Sequence, residues 1–478
     1  MVTMRGYECW GYRPYSPYDQ MELRNMPYIC KVAPGKDYIE LEWFDNGTNE
    51  QTEHQIYWRE YKTDEDYKAL PLTTRTFRIT GLEVERDYEF YAARSTGSGD
   101  GRSAVRIART GEVPGNVVNY LHPDDECYAN SGRSLCSPSI VKLPSGALLA
   151  SMDLFALKAP QNLTLIYRSD DGGQSWSFVT ELMPCFWGKM FYHRDALYML
   201  ATSTEYGNLL IGKSMDEGQT WSRPVTIMTG AGSWSGKGAH KAPMPVITHE
   251  NRIYTAIDYG SWSSGGHSSA LLSIDADADL MTAGNWACTD FLPYDESWPG
   301  SVAKGMGGGG LEGNAVVGPD GEIYNVLRYT MAEFGKAMIL RGNKNDPEAP
   351  LAFHSYAHFN GGSNAKFDLL YDEKSRAYWA IVNEIVDEKT PHQRNVLSLS
   401  VSKDMQNFKI VKRLLDYRHE NPKDVGFQYI SFLIDGDDIL FLSRTGFNQA
   451  KNMHDANYST FHRINNFRQY LNNVVPHL

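Results

Sequence analysis

The chain has 478 residues with a net charge of −12, 42% hydrophobic and 12% aromatic residues, 42 glycines and 29 tyrosines. The acidic balance excludes a nucleic-acid surface as the main business, because phosphate binding needs clustered Lys and Arg. No run approaches the ~18 apolar residues of a membrane span, and the length suits about two to four domains.

Residues 1–26 carry Trp10, Tyr12, Tyr15 and Tyr18 and read as an N-terminal arm packing on something larger. They lack the continuous apolar stretch of a signal peptide, so the expectation is a cytoplasmic protein, or a secreted one if the chain is a mature form. The six cysteines show neither a CxxC pair nor a dense framework and read as mostly reduced.

From 27 to 112 the text alternates with period two: Ile39-Glu-Leu-Glu-Trp43, then an Asn46-Gly47 turn, then Gln55-Ile-Tyr-Trp-Arg-Glu-Tyr61. Thr76–Thr80 and Tyr88–Ala93 complete a module of seven-strand size. With Trp43 as core indole and Leu82 and Tyr88 at a corner, it resembles a fibronectin type III domain, a β-sandwich. Thr110–Gly115 reads as a linker.

From 116 to 478 the chain repeats. Each unit enters a strand, turns at a glycine and returns, as in Ser139–Gly146 into Ala147–Ser151 and Ala315–Gly321 into Glu322–Leu327, with similar pairs near Trp187, Pro245, Lys366 and Tyr429. Two octets, Ser169-Asp-Asp171-Gly-Gly173-Gln-Ser-Trp176 and Ser214-Met-Asp216-Glu-Gly218-Gln-Thr-Trp221, lie 45 residues apart, the length of a four-stranded propeller blade. In each, serine and aspartate oxygens can bond nearby backbone N–H groups, glycine supplies φ > 0, and tryptophan folds beneath the turn. A degenerate copy runs from Ser402 through Asp404 to Phe408. Asp275, Asp277 and Asp279 form a polar strip, but Leu280 and Trp286 occupy the positions where an EF-hand needs glycine and glutamate. No cofactor or metal is indicated.

The octet resembles the Asp-box (BNR repeat) of the sialidase superfamily. The resemblance implies an all-β fold: a six-bladed β-propeller, here preceded by the fibronectin-like sandwich. If the first strand of each blade is innermost, strand starts and second-strand ends share one pocket. That points to Arg133, Trp187, His240, Lys241, Glu312, Asn314, Lys366 and Tyr429, and to Asp153, Tyr259, Arg328, Asn383 and Arg444.

The family places a glutamate at an inner-strand start and an arginine after the following Pro-Asp-Gly turn, as in Glu312 to Arg328. A further arginine precedes a strand leading into an Asp-box, as at Arg394, and a tyrosine opens the last inner strand, as at Tyr429. The resemblance therefore implies Tyr429 as nucleophile, Glu312 as its base, and Arg328 and Arg394 on a sugar carboxylate. Arginine forks suit a carboxylate in a way lysine cannot match, and a phenol needs a nearby base at neutral pH. Two family features are missing: Cys136-Ser137-Pro138 stands where an Arg-Ile-Pro is expected, and the acid/base aspartate has no clean counterpart. Arg133 and Asp153 are the nearest replacements, with Arg444, Lys241, Trp187 and Asn314 as further substrate contacts and His240 as a proton donor.

The expected activity is a sialidase-like exo-glycoside hydrolase acting on an oligosaccharide or polysaccharide with a terminal acidic sugar. Two alternatives stand beside it. A propeller-type polysaccharide lyase would use an arginine to neutralise a uronate and His240 or Tyr429 to remove its α-proton. A non-catalytic carbohydrate-binding propeller would need only aromatics such as Trp187 and Trp234. Gly305–Gly310 reads as a linker or a lid before Glu312, and His354 and His358 lack the glutamate of a zinc-protease helix.

Overall fold

A computed structural model describes residues 10, 26–45, 47, 52–95, 101–232, 235–303, 309–330, 335–359, 365–387 and 389–476. In the first part, strands Tyr28–Pro34, Tyr38–Phe44 and Thr76–Thr80 form an antiparallel sheet, with Tyr38–Phe44 in the middle. Lys68–Leu72, His54–Glu60, Asp87–Arg94 and Arg106–Arg109 form a second sheet in that order. The alternation legible in the sequence sends Ile39, Leu41, Ile56, Tyr88 and Phe90 into one shared core. Trp43 closes that core and donates its indole N–H to the Thr74 carbonyl at 2.9 Å.

This sandwich is fused to the repeating part of the chain. Tyr28–Pro34 is buried at all seven positions because both its faces are covered. Its Tyr28 hydroxyl meets Tyr128 at 2.7 Å and Glu181 at 3.0 Å, and Tyr167 donates to the Cys30 carbonyl. Arg106 pairs with Asp125 at 2.7 Å, both wholly buried. Thr110–Gly115, expected as a linker, is itself tied down: Gly111 N–H donates to the Gly35 carbonyl, and Asn448 donates to the Thr110 carbonyl.

The remaining strands form successive antiparallel sheets. Ser134–Lys142, Leu148–Phe155, Thr164–Ser169 and Ser177–Leu182 pair in chain order, as do Phe186–His193, Ala196–Thr202, Leu209–Ser214 and Val225–Met228. In the next sheet Gly238–His240 and Val246–His249 share the strand Arg252–Ser261, which continues into Gly266–Asp275. Gly309–Val317 to Ala352–Phe359 and Asp368–Asp372 to Asn407–Asp416 form two more, joined by a short parallel pairing of Phe359 with Phe408. Gly426–Asp435, Asp438–Gly446 and Tyr458–Ile464 complete the series, and Asn116–Tyr120 from far earlier in the chain supplies the last sheet's outer strand. First strands of neighbouring sheets pack on one another, and the last contacts Ser134–Lys142. The sheets thus close around an axis as a β-propeller, and among the described residues there is no α-helix.

The two octets are turns with the same bonding. Asp171 accepts from Ser169 Oγ (2.7 Å), Ser175 N (2.9 Å) and Ser175 Oγ (2.5 Å), and Trp176 donates back to the Gly173 carbonyl (3.2 Å). Asp216 repeats this with Ser214 and Thr220, and Trp221 donates to Gly218 at 3.0 Å. Gly173 (φ 93°) and Gly218 (φ 92°) take the left-handed backbone that the turn requires. In the degenerate copy Met405 takes that conformation, and Phe408, stacked 4.2 Å from Phe359, replaces the tryptophan. Trp10, from the N-terminal arm, is buried with its ring edge on Trp221 at 6.2 Å. Tyr12, Tyr15, Tyr18 and Asn46 lie outside the described residues. Asp275, Asp277 and Asp279 are occupied by their own turn and by Asn251 and Arg194.

Candidate functional site

Four first strands carry the same irregularity. At Ser137, Trp187, Glu312 and Tyr429 the backbone has φ of 45°, 54°, 54° and 52°, and the pairing with the second strand slips there. Such bulges re-aim a side chain, and non-glycine residues in this region are strained, which is common at functional sites. The bulges are fastened from the preceding sheet. Asp258 accepts the Glu312 backbone N–H at 2.7 Å and the Ser269 hydroxyl at 2.7 Å. Asp153 does the same for Trp187 N–H at 2.8 Å and the Thr164 hydroxyl at 2.5 Å. Asn383 holds the strand of Tyr429 through the Phe427 carbonyl at 2.7 Å.

That assignment corrects the expectation for Asp153. It is wholly buried beneath the wall, and both its oxygens are engaged, one by Thr164 of its own sheet and the other by the Trp187 N–H of the next. Burial pushes its carboxyl up to about 8, against the lowering effect of the Thr164 and Trp187 bonds. It has no path to a sugar oxygen.

Glu312 and Arg328 meet as cross-strand neighbours, because the Pro-Asp-Gly turn sets Leu311 opposite Arg328. Their ion pair is 2.8 Å long and buried. Burial alone would raise the Glu312 carboxyl, but Arg328, and then His240, hold it below the usual range, so it is a carboxylate at neutral pH. Burial alone would lower Arg328; Glu312 and the Tyr429 phenol, both hydrogen-bonded to it, raise it instead. One guanidinium thus bridges the carboxylate and the phenol.

Tyr429 is half-buried with two more guanidinium groups against its ring, Arg394 at 5.6 Å and Arg444 at 5.1 Å. Arg394 donates to Gln428 Oε1, and Arg444 Nη2 lies 3.2 Å from His454 Nδ1. The buried Nε atoms of both find no hydrogen-bond partner among the described residues. Burial, and then the charges of Arg328 and Arg444, pull Arg394 down to about 10, against Tyr429 and Glu312. Three guanidiniums therefore gather at Tyr429, and of these Arg328 pairs with Glu312.

Arg133 is not among them. Its side chain is exposed and pairs with Glu126 at 3.0 Å. Arg444, arriving from the last sheet, lies 5.3 Å from the Phe155 ring and is the strongest charge acting on the buried Cys136 thiol. It thereby stands beside the position at which the sequence lacks an arginine.

The opposite wall is aromatic. Trp187 packs on Phe186 at 4.8 Å, on Tyr206 at 5.9 Å and on His240 at 4.2 Å. His240 is buried, its Nδ1 3.5 Å from Asp258, and its ring also meets His267 at 4.8 Å. Lys241 lies below this wall, 1% exposed, and so does not face the pocket as expected. Asn314 is likewise structural: it bonds the Val326 and Phe367 carbonyls and the Leu369 N–H. His354 is exposed and bonds Ser355. Residues 305–308 and Trp234 lie outside the described residues, and among those described no His, Cys, Asp and Glu cluster has metal-ligand geometry.

One carboxyl escaped the sequence reading. Glu205 follows the second strand Ala196–Thr202 and accepts a bond from Gln161 Nε2 at 3.1 Å. Burial raises its carboxyl, against the lowering effect of nearby His240 and Gln161. Its chain neighbour Tyr206 packs on Trp187 at 5.9 Å and on His240 at 6.3 Å, so the chain at Glu205 runs beside the aromatic wall. The rule that second-strand ends face the pocket, applied to Thr202, would have found it.

No protein-family model matches this chain, and no curated protein is similar to it in sequence. Solved structures do resemble it. A Hadza microbial sialidase shares 12% identity at a TM-score of 0.50, over 92% of this chain and 95% of that one. A leech intramolecular trans-sialidase shares 11% at 0.48, over 96% and 97%, and a Penicillium chrysogenum α-L-arabinanase 13% at 0.48, over 75% and 99%. The first of these, at a TM-score of 0.50, shows a common fold, the sialidase-like β-propeller, and at 12% identity says nothing about substrate.

Proposed function

We propose that the chain is a sialidase-like exo-glycoside hydrolase that removes a terminal acidic sugar from a glycan. The observation that carries this reading is the cluster of Arg328, Arg394 and Arg444 around Tyr429, with one carboxylate, Glu312, among them. Buried guanidiniums with unmet hydrogen bonds favour a planar anion that can accept several at once, and a sugar carboxylate is such a group.

With the carboxylate held there, the Tyr429 oxygen attacks the anomeric carbon while its proton passes to Glu312. The leaving glycosidic oxygen takes a proton from Glu205, whose carboxyl burial raises above its usual range, the direction a proton donor needs. Water, deprotonated by Glu205, then cleaves the glycosyl-tyrosine, and Glu312 returns the proton to Tyr429. Trp187, Tyr206 and His240 form the wall that limits water access.

We further read the propeller as six-bladed, the octets as Asp-boxes, and the N-terminal sandwich as fibronectin type III-like. Supporting these are the repeated Asp171 and Asp216 bonding, the three-plus-four strand arrangement, and the Tyr88 hydroxyl that accepts from Glu83 N–H at 3.0 Å at the corner.

A product assay on sialosides, uronic-acid oligosaccharides and arabino-oligosaccharides tests the reading. Release of free acidic sugar without the ultraviolet absorbance of an unsaturated uronate is expected. Rising absorbance would instead mean β-elimination, and release of arabinose alone would remove the acidic-sugar argument.

A further inference from the structure

The aromatic wall does not end inside the pocket. From Trp187 the rings run to His240 at 4.2 Å, from His240 to His267 at 4.8 Å and from His267 to Trp262 at 5.1 Å, with Tyr206 packed alongside, 5.9 Å from Trp187 and 5.8 Å from His267. Trp187, Tyr206, His240 and His267 are buried. Trp262 brings the series out into solvent: it is 41% accessible, and among the described residues it is the only exposed tryptophan.

Trp262 opens the turn that follows the strand Arg252–Ser261. That strand sets Asp258 opposite His240 and Gly260 opposite Gly238, so the turn carries the wall onward to the rim. The turn is fixed. Ser261 Oγ accepts the Ser264 N–H at 3.1 Å, Gly265 takes the left-handed backbone at φ 92°, and the Trp262 backbone N–H donates to the Tyr206 hydroxyl at 3.4 Å. An indole that is packed against His267 and otherwise bare is held ready for a flat apolar surface, because little side-chain freedom is left to lose on contact.

Two observations say what that surface is. The first is neighbourhood: Trp262 bonds Tyr206, the residue after Glu205, and so stands on the side of the acid rather than that of Arg328, Arg394 and Arg444. The group there during cleavage is the one that departs with the glycosidic oxygen. The second is charge: residues 259–269 include no Lys, Arg, Asp or Glu. The turn offers an acidic sugar no cation to offset its lost hydration, whereas a neutral pyranose brings an apolar C–H face to stack on the indole and keeps its hydroxyl edge in water.

We propose that Trp262 is the platform for the sugar next to the scissile bond and that this sugar is neutral, so that the substrate is a glycan with one terminal acidic sugar on a neutral pyranose and not a chain of acidic sugars. The proposal rests on the hydrolase reading above.

The test measures kcat/KM on sialyllactose, on a methyl sialoside, which has no second sugar, and on a disaccharide of two sialic acids. The wild type should prefer sialyllactose to the acidic disaccharide by about tenfold or more, and Trp262→Ala should lower the ratio of sialyllactose to methyl sialoside by about tenfold. Saturation-transfer NMR with methyl β-lactoside reads the platform without cleavage, and the signal seen with the wild-type chain should be lost in the variant. If no sialoside is cleaved, the hydrolase reading fails, and the lactoside signal by itself decides for or against the platform. A wild type without the preference, a ratio that the variant leaves unchanged, or a lactoside signal that is absent or survives Trp262→Ala overturns the proposal.

Discussion

Tyr429→Phe separates chemistry from stability at this site. Phenylalanine keeps the ring, so the stacking of Arg394 and Arg444 at 5.6 and 5.1 Å is largely retained, and its demand on a backbone at φ 52° is the same as that of tyrosine. The only lost partner is the phenol oxygen. Arg328, which bonds that oxygen, keeps its 2.8 Å pair with Glu312, so no buried charge is left alone. The stability cost is then that of one half-exposed hydrogen bond, about 1 kcal/mol. Loss of the nucleophile should instead lower kcat/KM by more than about a hundredfold, or about 2.7 kcal/mol in the barrier. The assay is kcat/KM on a fluorogenic sialoside, alongside Tm. Activity retained within about tenfold of wild type in a folded variant would refute the nucleophile assignment. Glu312→Gln is a less clean probe, because it breaks the buried pair with Arg328 and should cost about 3–5 kcal/mol of stability as well as activity.

Arg444→Lys keeps the charge but loses the fork, so KM for an acidic substrate should rise about tenfold or more with a smaller change in kcat; an unchanged KM would remove Arg444 from the carboxylate site. Glu205→Gln should abolish cleavage of natural glycosides yet spare aryl glycosides with good leaving groups. In the wild type, activity should fall as pH rises through the raised Glu205 pKa, because the acid form is required, and that limb should vanish in the variant. Asp171→Ala removes the acceptor of the first octet's bonds and should cost about 1–2 kcal/mol, read as a lower denaturation midpoint with kcat unchanged. Asp171 is held at about 2, because its bonds from Ser175, Ser169 and Gln174 outweigh the raising effect of burial. Its contribution is therefore present above the ordinary aspartate pKa and is lost as pH falls toward 2.

What the sequence determined by itself is whatever rests on near neighbours. The octets are legible because Ser169, Asp171, Gly173 and Trp176 bond one another within eight residues, and period-two alternation locates the strands. The Glu312–Arg328 pair is equally legible, since a tight Pro-Asp-Gly turn fixes the register that sets the two side by side. Alternation says which residues leave the sheet but not which neighbouring sheet they meet. The rule that second-strand ends face the channel points Asp153 to the pocket, although that residue grips the Trp187 backbone of the next sheet. Closeness in sequence makes Arg133 the expected substitute for the missing arginine, yet it turns outward to Glu126. Arg444 comes to that place because Asn116–Tyr120 pairs with Tyr458–Ile464 and draws the last sheet against the first. Ring closure decided the rest as well: Glu205 close enough to His240 to feel its charge is a juxtaposition between sheets that no local pattern encodes.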